Sequence, residues 1–286
     1  MAIIYEKLMN LEIPTIEQTY TQKDTMLYAL GVGLGQDPTD REQLRFVYEQ
    51  NLKALPTQAV VLAHPGLWVR DLDTGIDYVK VVHGEQGLVL HKPLPPSGTV
   101  LGISRVTGVF DKGEGKGALV LSERKIVDKS TGDLLATITQ NTFCRGDGGF
   151  GGPSGPTPAP HVLPEREADM VCDLATVPQA ALIYRLNADM NPLHADPDIA
   201  AKAGFAQPIL HGLATYGVSG HAVLKSVCGY DPARLKSLNC RFTAPVYPGE
   251  TFRTEIWIDG TIVSFRTRSL ERDIVAISNG RAEIAG

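Results

Sequence analysis

Strand-like runs of apolar and β-branched residues occur in two groups of four along the chain. The first group covers 87–91, 99–110, 117–128 and 134–144, and the second covers 238–244, 250–258, 261–270 and 273–284. The turn sequences 128–133 and 259–260, rich in Asp and Gly, are typical of hairpins between antiparallel strands. The pattern therefore predicts antiparallel sheets rather than alternating parallel strand–helix units.

Helical patterns precede the strands in both halves. One lies near 42–55. In the second half, 179–185 precedes a helical segment, and a longer helix then begins at His211-Gly212. Small and apolar residues dominate this last helix, as expected for a helix that a sheet surrounds on most sides. Asp196-Pro197 is typical of a helix start, and Gly204 of its end. Each half thus repeats a plan of helix plus antiparallel sheet, and we predict the α+β class.

A segment rich in glycine and proline, 146–160, separates the two halves. Neither a helix nor a central strand tolerates this density of glycine and proline. We expect an N-terminal domain over 1–145, a linker over 146–160 and a C-terminal domain over 161–286.

Composition narrows the possible functions. The chain has 286 residues and a formal net charge of −5, so it lacks the basic surface that dominates nucleic-acid binding. It contains no apolar stretch of membrane-spanning length and no recognisable export signal, which predicts a cytoplasmic protein. Its four cysteines are widely spaced, which supports neither a disulfide framework nor a zinc site.

The candidate chemistry lies in the loop 184–197. Asp189 and His194 stand five residues apart on either side of the rigid Pro192, so a carboxylate and an imidazole could converge on one water molecule. On spacing alone, a turn-capping Asp and a partly exposed His remain the alternative. Gly212 begins the long helix, and its free backbone N–H could stabilise an oxyanion. The alternative there is a core helix with a tight entry turn.

Together, Tyr184-x-Leu186-x-x-Asp189-x-Asn191-Pro192-Leu193-His194 and His211-Gly212 resemble the signature of hydratase 2, the MaoC-like (R)-specific enoyl-CoA hydratases with hot-dog folds. The first half is similar to the two-domain form of that family, including the hydratase part of peroxisomal multifunctional enzyme type 2. The motifs that carry this second similarity are 28–33, 47–49, 83–86, 92–95 and 148–152. One departure is Asn187-Ala188, where the family usually has a small residue and glycine before the aspartate.

The resemblance implies a double hot-dog, with each half wrapping a sheet around a central helix and only the second half catalytic. The first half would hold a bulky acyl chain. Asp189 and His194 would form the catalytic dyad, Asn191 would hold and polarise the reacting groups, and the Gly212 N–H would complete the oxyanion hole. Contacts to the acyl-CoA would fall on His83, Gly84, Lys112, Met190, Pro192, Leu193 and Phe242.

The implied reaction adds water reversibly to trans-2-enoyl-CoA and gives (3R)-3-hydroxyacyl-CoA, without a metal or other cofactor. A hot-dog thioesterase and an acyl-CoA-binding subunit without catalysis are the alternatives. The acyl carrier could be CoA or acyl carrier protein, and the two-domain form favours CoA. By analogy with other double hot-dogs, we expect a homodimer.

Overall fold

The computed structural model describes residues 3–187 and 189–286, so the departure at Ala188 lies outside the described residues. The α-helices are α1 (Tyr5–Met9), α2 (Gln22–Gly31), α3 (Arg41–Val47), α4 (Trp68–Asp71), α5 (Ala180–Tyr184), α6 (Pro197–Lys202) and α7 (Gly212–Ser226). The strands are β1 (Ile16–Tyr20), β2 (Val81–Leu90), β3 (Gly98–Asp111), β4 (Ala118–Asp128), β5 (Leu134–Cys144), β6 (Met170–Ala175), β7 (Leu235–Phe242), β8 (Thr251–Asp259), β9 (Ile262–Ser269) and β10 (Ile274–Ile284). Short 3₁₀ helices cover Pro56–Val60, Tyr78–Lys80, Pro192–His194 and Pro232–Arg234.

All ten strands form one antiparallel sheet, in the order β1-β3-β4-β5-β2-β7-β10-β9-β8-β6. The prediction of two separate sheets is wrong, because β2 pairs with β7 and joins the strands of the two halves edge to edge. Across this junction the Arg241 guanidinium donates through Nε to the Glu85 carboxylate at 2.8 Å. Pairing β2 with β7 leaves neither strand as an exposed edge.

The predicted strands are confirmed with small differences at their ends, and the α+β class is confirmed with them. The strands β1 and β6, which are the two edge strands of the sheet, were not predicted. Both are short, so they carry little of the alternation that marks a strand in sequence. No helix among the described residues is long and apolar enough to cross a membrane.

The helix α7 is the centre of the second half. Its residues from Ala214 to Leu224 are all buried, and it packs against β6, β7, β8 and β10. Inside this packing the Tyr216 hydroxyl donates to the Leu238 carbonyl at 2.9 Å, and the Ser219 and Thr267 hydroxyls are 2.8 Å apart. The buried polar groups of α7 thus find partners on the strands around it.

The first half does not contain the long central helix that the resemblance implied. In residues 3–145 the helical pattern near 42–55 forms only α3, which ends at Val47, and the inner face of β2 and β5 contacts the 3₁₀ helix Pro56–Val60. Two features stop an α-helix here: Asn51 has a positive φ of 58°, and Pro56 cannot donate a helix hydrogen bond.

The two halves share their largest hydrophobic core, which includes Tyr28, Ile138, Tyr216 and Phe265. The halves approach closely at α7, where a Cβ added to Gly217 would lie 2.5 Å from Cγ1 of Val32. The segment 146–160 also contacts the first half, since the Asp111 carboxylate accepts hydrogen bonds from the Gly149 and Gly151 backbone N–H groups at 2.8 and 2.7 Å. The division into 1–145 and 161–286 therefore describes sequence segments that pack as one core.

We predict that Gly217→Val lowers the free energy of unfolding by about 1–3 kcal/mol, the usual cost of overpacking a core. The added side chain would collide with Val32 and with the Tyr28 hydroxyl, both in the first half. Chemical denaturation measures the change. Gly98→Val is the matched control, because the nearest atom to its Cβ would be 3.9 Å away. Equal stability of the two variants would contradict this packing.

Candidate active site

The loop between α5 and α6 is held by its own turns. The Asn191 N–H donates to Oδ1 of Asp189 at 3.0 Å, and Oδ1 of Asn191 accepts from the Leu193 N–H at 3.0 Å. Pro192 begins the 3₁₀ helix that ends at His194, and Asp196 then caps α6 as predicted. These local contacts bring Asp189 and His194 to the same side of the loop.

The Asp189 carboxylate and the His194 imidazole face each other, with Oδ2 and Nε2 4.0 Å apart. On the other side of the ring, Nδ1 of His194 lies 2.8 Å from the Ile209 carbonyl oxygen. A carbonyl can only accept a hydrogen bond, so Nδ1 carries the proton and Nε2 has the free lone pair. The neutral ring and the carboxylate therefore present two acceptors, and one water molecule can donate a hydrogen bond to each.

Burial keeps the His194 ring neutral. Its surroundings lower its pKa from the ordinary 6.5, chiefly because a charged ring would lose hydration there. The Ile209 carbonyl and the Asp189 charge oppose this effect and raise the pKa. A neutral His194 is the form that can accept a proton from water.

His211, which the sequence indicated only as part of a motif, contacts both Asp189 and His194. It is 1% exposed, its ring stacks on His194 with centroids 3.7 Å apart, and its Nε2 lies 3.1 Å from the Asp189 carbonyl oxygen. Because that oxygen accepts, Nε2 of His211 is the protonated nitrogen. Burial lowers the pKa of His211 to about 4, so it contacts both members of the pair as a neutral ring.

The potential ligand atoms of Asp189, His194 and His211 lie within 4.8 Å of one another, a spacing that also occurs in metal sites. The two imidazole planes, however, are inclined by only 26° and are stacked. A metal about 2.0–2.1 Å from two imidazole nitrogens lies close to both ring planes, which stacked rings do not allow. The arrangement therefore favours acid–base chemistry over metal binding.

Gly212 lies next to this pair at the start of α7. Its N–H has no acceptor among residues 3–187 and 189–286, since it belongs to the first turn of the helix. The Phe242 ring lies beside it, 3.5 Å from where a Gly212 Cβ would be, and the His83 ring meets Phe242 with centroids 4.8 Å apart. His83 is also near enough to Asp189 for that charge to act on its pKa, which burial lowers to about 4.

The other predicted substrate contacts occupy different positions. Gly84 is the bulged residue where the pairing of β2 with β5 shifts register, and Met190 is exposed in the catalytic loop. Lys112 follows the end of β3, at the same end of the sheet as His83, and donates to the Ser154 carbonyl at 3.0 Å. No contact joins Lys112 to Asp189 or His194 among the described residues, and its role remains a prediction.

The first half packs against the loop that carries Asp189 and His194. The Tyr28 ring of α2 packs against Tyr184 with centroids 6.0 Å apart, and Tyr184 packs against His211 at 5.0 Å. Arg185 reaches along the loop and donates to the Met190 carbonyl at 3.3 Å. The sequence shows no signal for the Tyr28–Tyr184 contact, because 156 positions separate the two residues.

Comparison with known proteins gives matches over both halves. The MaoC like domain matches residues 160–279, and the MFE-2 hydratase 2 N-terminal domain matches residues 18–146. A protein of Dictyostelium discoideum named probable enoyl-CoA hydratase 2 is 40% identical over 295 residues, which cover 99% of this chain and 97% of that protein. The chain belongs to the enoyl-CoA hydratase 2 family of MaoC-like proteins.

Solved structures agree with this membership. A MaoC-like dehydratase from Phytophthora capsici superposes with a TM-score of 0.87 at 34% identity, and covers 98% of each chain. The full-length peroxisomal multifunctional enzyme type 2 of Drosophila melanogaster gives a TM-score of 0.81 at 36% identity, with 95% of this chain matching 48% of that chain. A Mycobacterium tuberculosis protein described as a double hotdog fold matches at a TM-score of 0.56 and 14% identity, which shows the fold alone.

These matches confirm the predicted family, the hot-dog fold and the hydro-lyase class. They do not test the roles of individual residues, the stereochemistry or the homodimer. Among the relatives, one from Arabidopsis thaliana is named enoyl-CoA hydratase 2, peroxisomal. The cytoplasmic location of this hydratase 2 family member therefore stays a prediction.

We predict that the pKa of His194, followed by ¹⁵N-detected NMR of the imidazole, lies below 6.5. In Asp189→Asn it falls further, because the lost negative charge was raising it. His194→Gln identifies the resonance. An unchanged or raised pKa in Asp189→Asn would show that the two side chains are not coupled as described.

Proposed function

We propose that the chain is an (R)-specific 2-enoyl-CoA hydratase, which reversibly converts trans-2-enoyl-CoA into (3R)-3-hydroxyacyl-CoA. The observation that carries the proposal is the pair of proton acceptors, Oδ2 of Asp189 and Nε2 of His194, 4.0 Å apart and next to the free Gly212 N–H. The names of the relatives support the substrate class, since they are enoyl-CoA hydratases and a 3-hydroxyacyl-thioester dehydratase. The (R) outcome rests on the family resemblance.

In this proposal, a water molecule donates one hydrogen bond to Asp189 and one to His194. Its oxygen attacks C3 of the enoyl thioester, and the electron pair of the double bond moves towards the thioester oxygen. One proton of the water passes to the pair as the new C–O bond forms. Transfer of a proton to C2 completes the hydroxyacyl product, and the reverse sequence is dehydration.

The Gly212 N–H would stabilise the thioester oxygen while it carries negative charge. Removal of one such donor costs about 2.7–4 kcal/mol of transition-state stabilisation in a well-studied enzyme. Asn191 supports the chemistry through its backbone, because its N–H holds the Asp189 carboxylate. We assign Asp189 as the base that takes the proton from water, and His194 as the group that shares this proton through Nε2 and delivers it to C2.

The half-exposed Asp189 indicates where the thioester enters. The side chain of Asp189 is 48% exposed whereas that of His194 is 9% exposed, so a bound substrate would cover the carboxylate and strengthen its interactions. His83 and Phe242 lie on the side of Gly212 that leads into the first half. We therefore place the acyl chain along these residues.

A thioesterase would use the same loop differently, with water directed at the thioester carbonyl carbon and free CoA as a product. A binding subunit would have no use for two mutually facing proton acceptors. The homodimer expected by analogy remains part of the proposal and does not affect this chemistry.

We predict that Asp189→Asn and His194→Gln each reduce kcat for hydration of trans-2-decenoyl-CoA by about 10²–10⁴-fold, the contribution of a positioned acid or base. Loss of the enoyl-thioester absorbance measures the rate. Asp198→Asn and His91→Gln are matched controls, because both side chains are exposed and outside the site. Folded Asp189→Asn or His194→Gln with near-normal turnover would refute the assignment.

A further inference from the structure

Arg124 is a buried arginine in the first half without an ionic partner. It is 6% exposed on the inner face of β4, and its guanidinium donates through Nη2 to the Val60 carbonyl at 2.6 Å. Its Nε has no hydrogen-bond partner. Within the described ranges, 3–187 and 189–286, no carboxylate lies within 4.0 Å of the guanidinium, and burial lowers the pKa of Arg124 to about 9. Burying an unpaired cation costs free energy, so an anion is the partner that Arg124 lacks.

Other hydrogen-bond donors surround the same space. The Ser104 hydroxyl on β3 is buried and has no partner. Nδ1 of His64 accepts from the Gly66 N–H at 3.1 Å, which places the His64 proton on Nε2, and burial keeps this ring neutral by lowering its pKa to about 3. Glu123 also lines the cavity, but its carboxylate accepts from Arg105 at 3.1 Å.

The cavity is small. Its volume is about 20 Å³, and the apolar side chains that line it are Ile13, Trp68 and Ile138, with Pro65 at the loop. About 10–15 Å³ of such volume holds one water molecule, so the space suits one small terminal group rather than a ring. Ser122 and Gln140 also line it. The cavity thus combines apolar side chains with hydrogen-bond donors, which fits the far end of an apolar chain that carries an acceptor.

Strand pairing gives the position of this cavity relative to the proposed active site. His83 on β2 pairs with Thr142 on β5, and Ile138, four residues along β5, pairs with Arg124 on β4. With about 3.3 Å per residue along a strand and about 4.8 Å between strands, Arg124 lies roughly 16 Å from His83. His64 is near both residues, since the charges of His83 and Arg124 each lower its pKa.

We propose that Arg124, with Ser104, binds a carboxylate at the distal end of the acyl chain, so that the preferred substrates are long ω-carboxy enoyl-CoA thioesters. This rests on the proposed hydratase function, because the thioester end must sit at Asp189 and Gly212. A carboxylate pairs with a guanidinium through charge-assisted hydrogen bonds. A methyl end at the same place leaves the buried guanidinium unpaired.

The test compares matched pairs of substrates on the wild-type protein. We expect kcat/KM for trans-2-hexadecenedioyl-CoA to exceed that for trans-2-hexadecenoyl-CoA by about tenfold or more, since a site built for a polar group discriminates strongly against an analogue without it. The short pair, trans-2-hexenedioyl-CoA and trans-2-hexenoyl-CoA, shows no such advantage, because the short chain does not reach Arg124.

Variants show whether Arg124 is responsible. Arg124→Met abolishes the preference for the long dicarboxylic ester, and Arg124→Lys keeps part of it. Lys125→Met is the matched control, because it removes a positive charge from the next residue of the same strand, where the side chain is exposed. Thermal melting confirms that each variant folds, and the comparison of substrates on the wild-type protein does not depend on the variants.

Each outcome separates this inference from the proposed function. Hydration of both long esters at equal rates would overturn the carboxylate site and leave the hydratase intact, with Arg124 held only by Val60 and water. A preference that Arg124→Met retains would also overturn it. Absence of hydration with every ester would instead refute the hydratase proposal.

Discussion

The proposed chemistry depends on one hydrogen bond, from Nδ1 of His194 to the Ile209 carbonyl. This bond fixes the tautomer of the ring and turns the lone pair of Nε2 towards Asp189. Ile209 belongs to the short segment that enters α7, and the next residues of that segment also form hydrogen bonds. The Leu210 N–H donates to the Val246 carbonyl, and His211 holds the Asp189 carbonyl. The segment that enters α7 therefore sets the positions of the Asp189 carboxylate, the His194 imidazole and the free Gly212 N–H together.

The second half provides the geometry of the proposed site. The first half packs against that site and, in the proposed function, holds the acyl chain. α2 of the first half packs behind the catalytic loop through Tyr28 and Tyr184, and Val32 fits against Gly217 of α7. Where the second half has a long helix, the first has the 3₁₀ helix Pro56–Val60. A shorter element leaves room near the sheet, and Arg124 binds the end of this element at Val60. The difference between the halves thus fits the proposed division, in which the second half is catalytic and the first half holds the acyl chain.

Much of this could be predicted from sequence, and the reasons are physical. The central strands are long and rich in strand-forming residues, and the α6 start has a capping Asp followed by Pro, so local pattern sufficed for them. Asp189, Asn191, Pro192 and His194 lie within six residues, so their convergence is a local property of one loop. The family resemblance then identified the reaction, which spacing alone left open.

What sequence did not predict depends on contacts between distant residues. The stacking of His211 on His194 and the unpaired guanidinium of Arg124 arise only when separate segments fold together. The first half also lacks a central helix for a tertiary reason. The pattern near 42–55 predicts a helix, although the chain turns at Asn51. Pairing of β2 with β7 joins residues 156 positions apart, Glu85 and Arg241, and no local signal marks it.

The most direct test of the central claim follows the oxygen atom of water. The protein is incubated with trans-2-decenoyl-CoA in ¹⁸O-labelled water, and the products are analysed by mass spectrometry. We predict one heavy oxygen in the 3-hydroxyl group of a hydroxyacyl-CoA, with the thioester intact. Free CoA together with heavy oxygen in a fatty-acid carboxylate would contradict the account, because water would then attack the carbonyl carbon rather than C3.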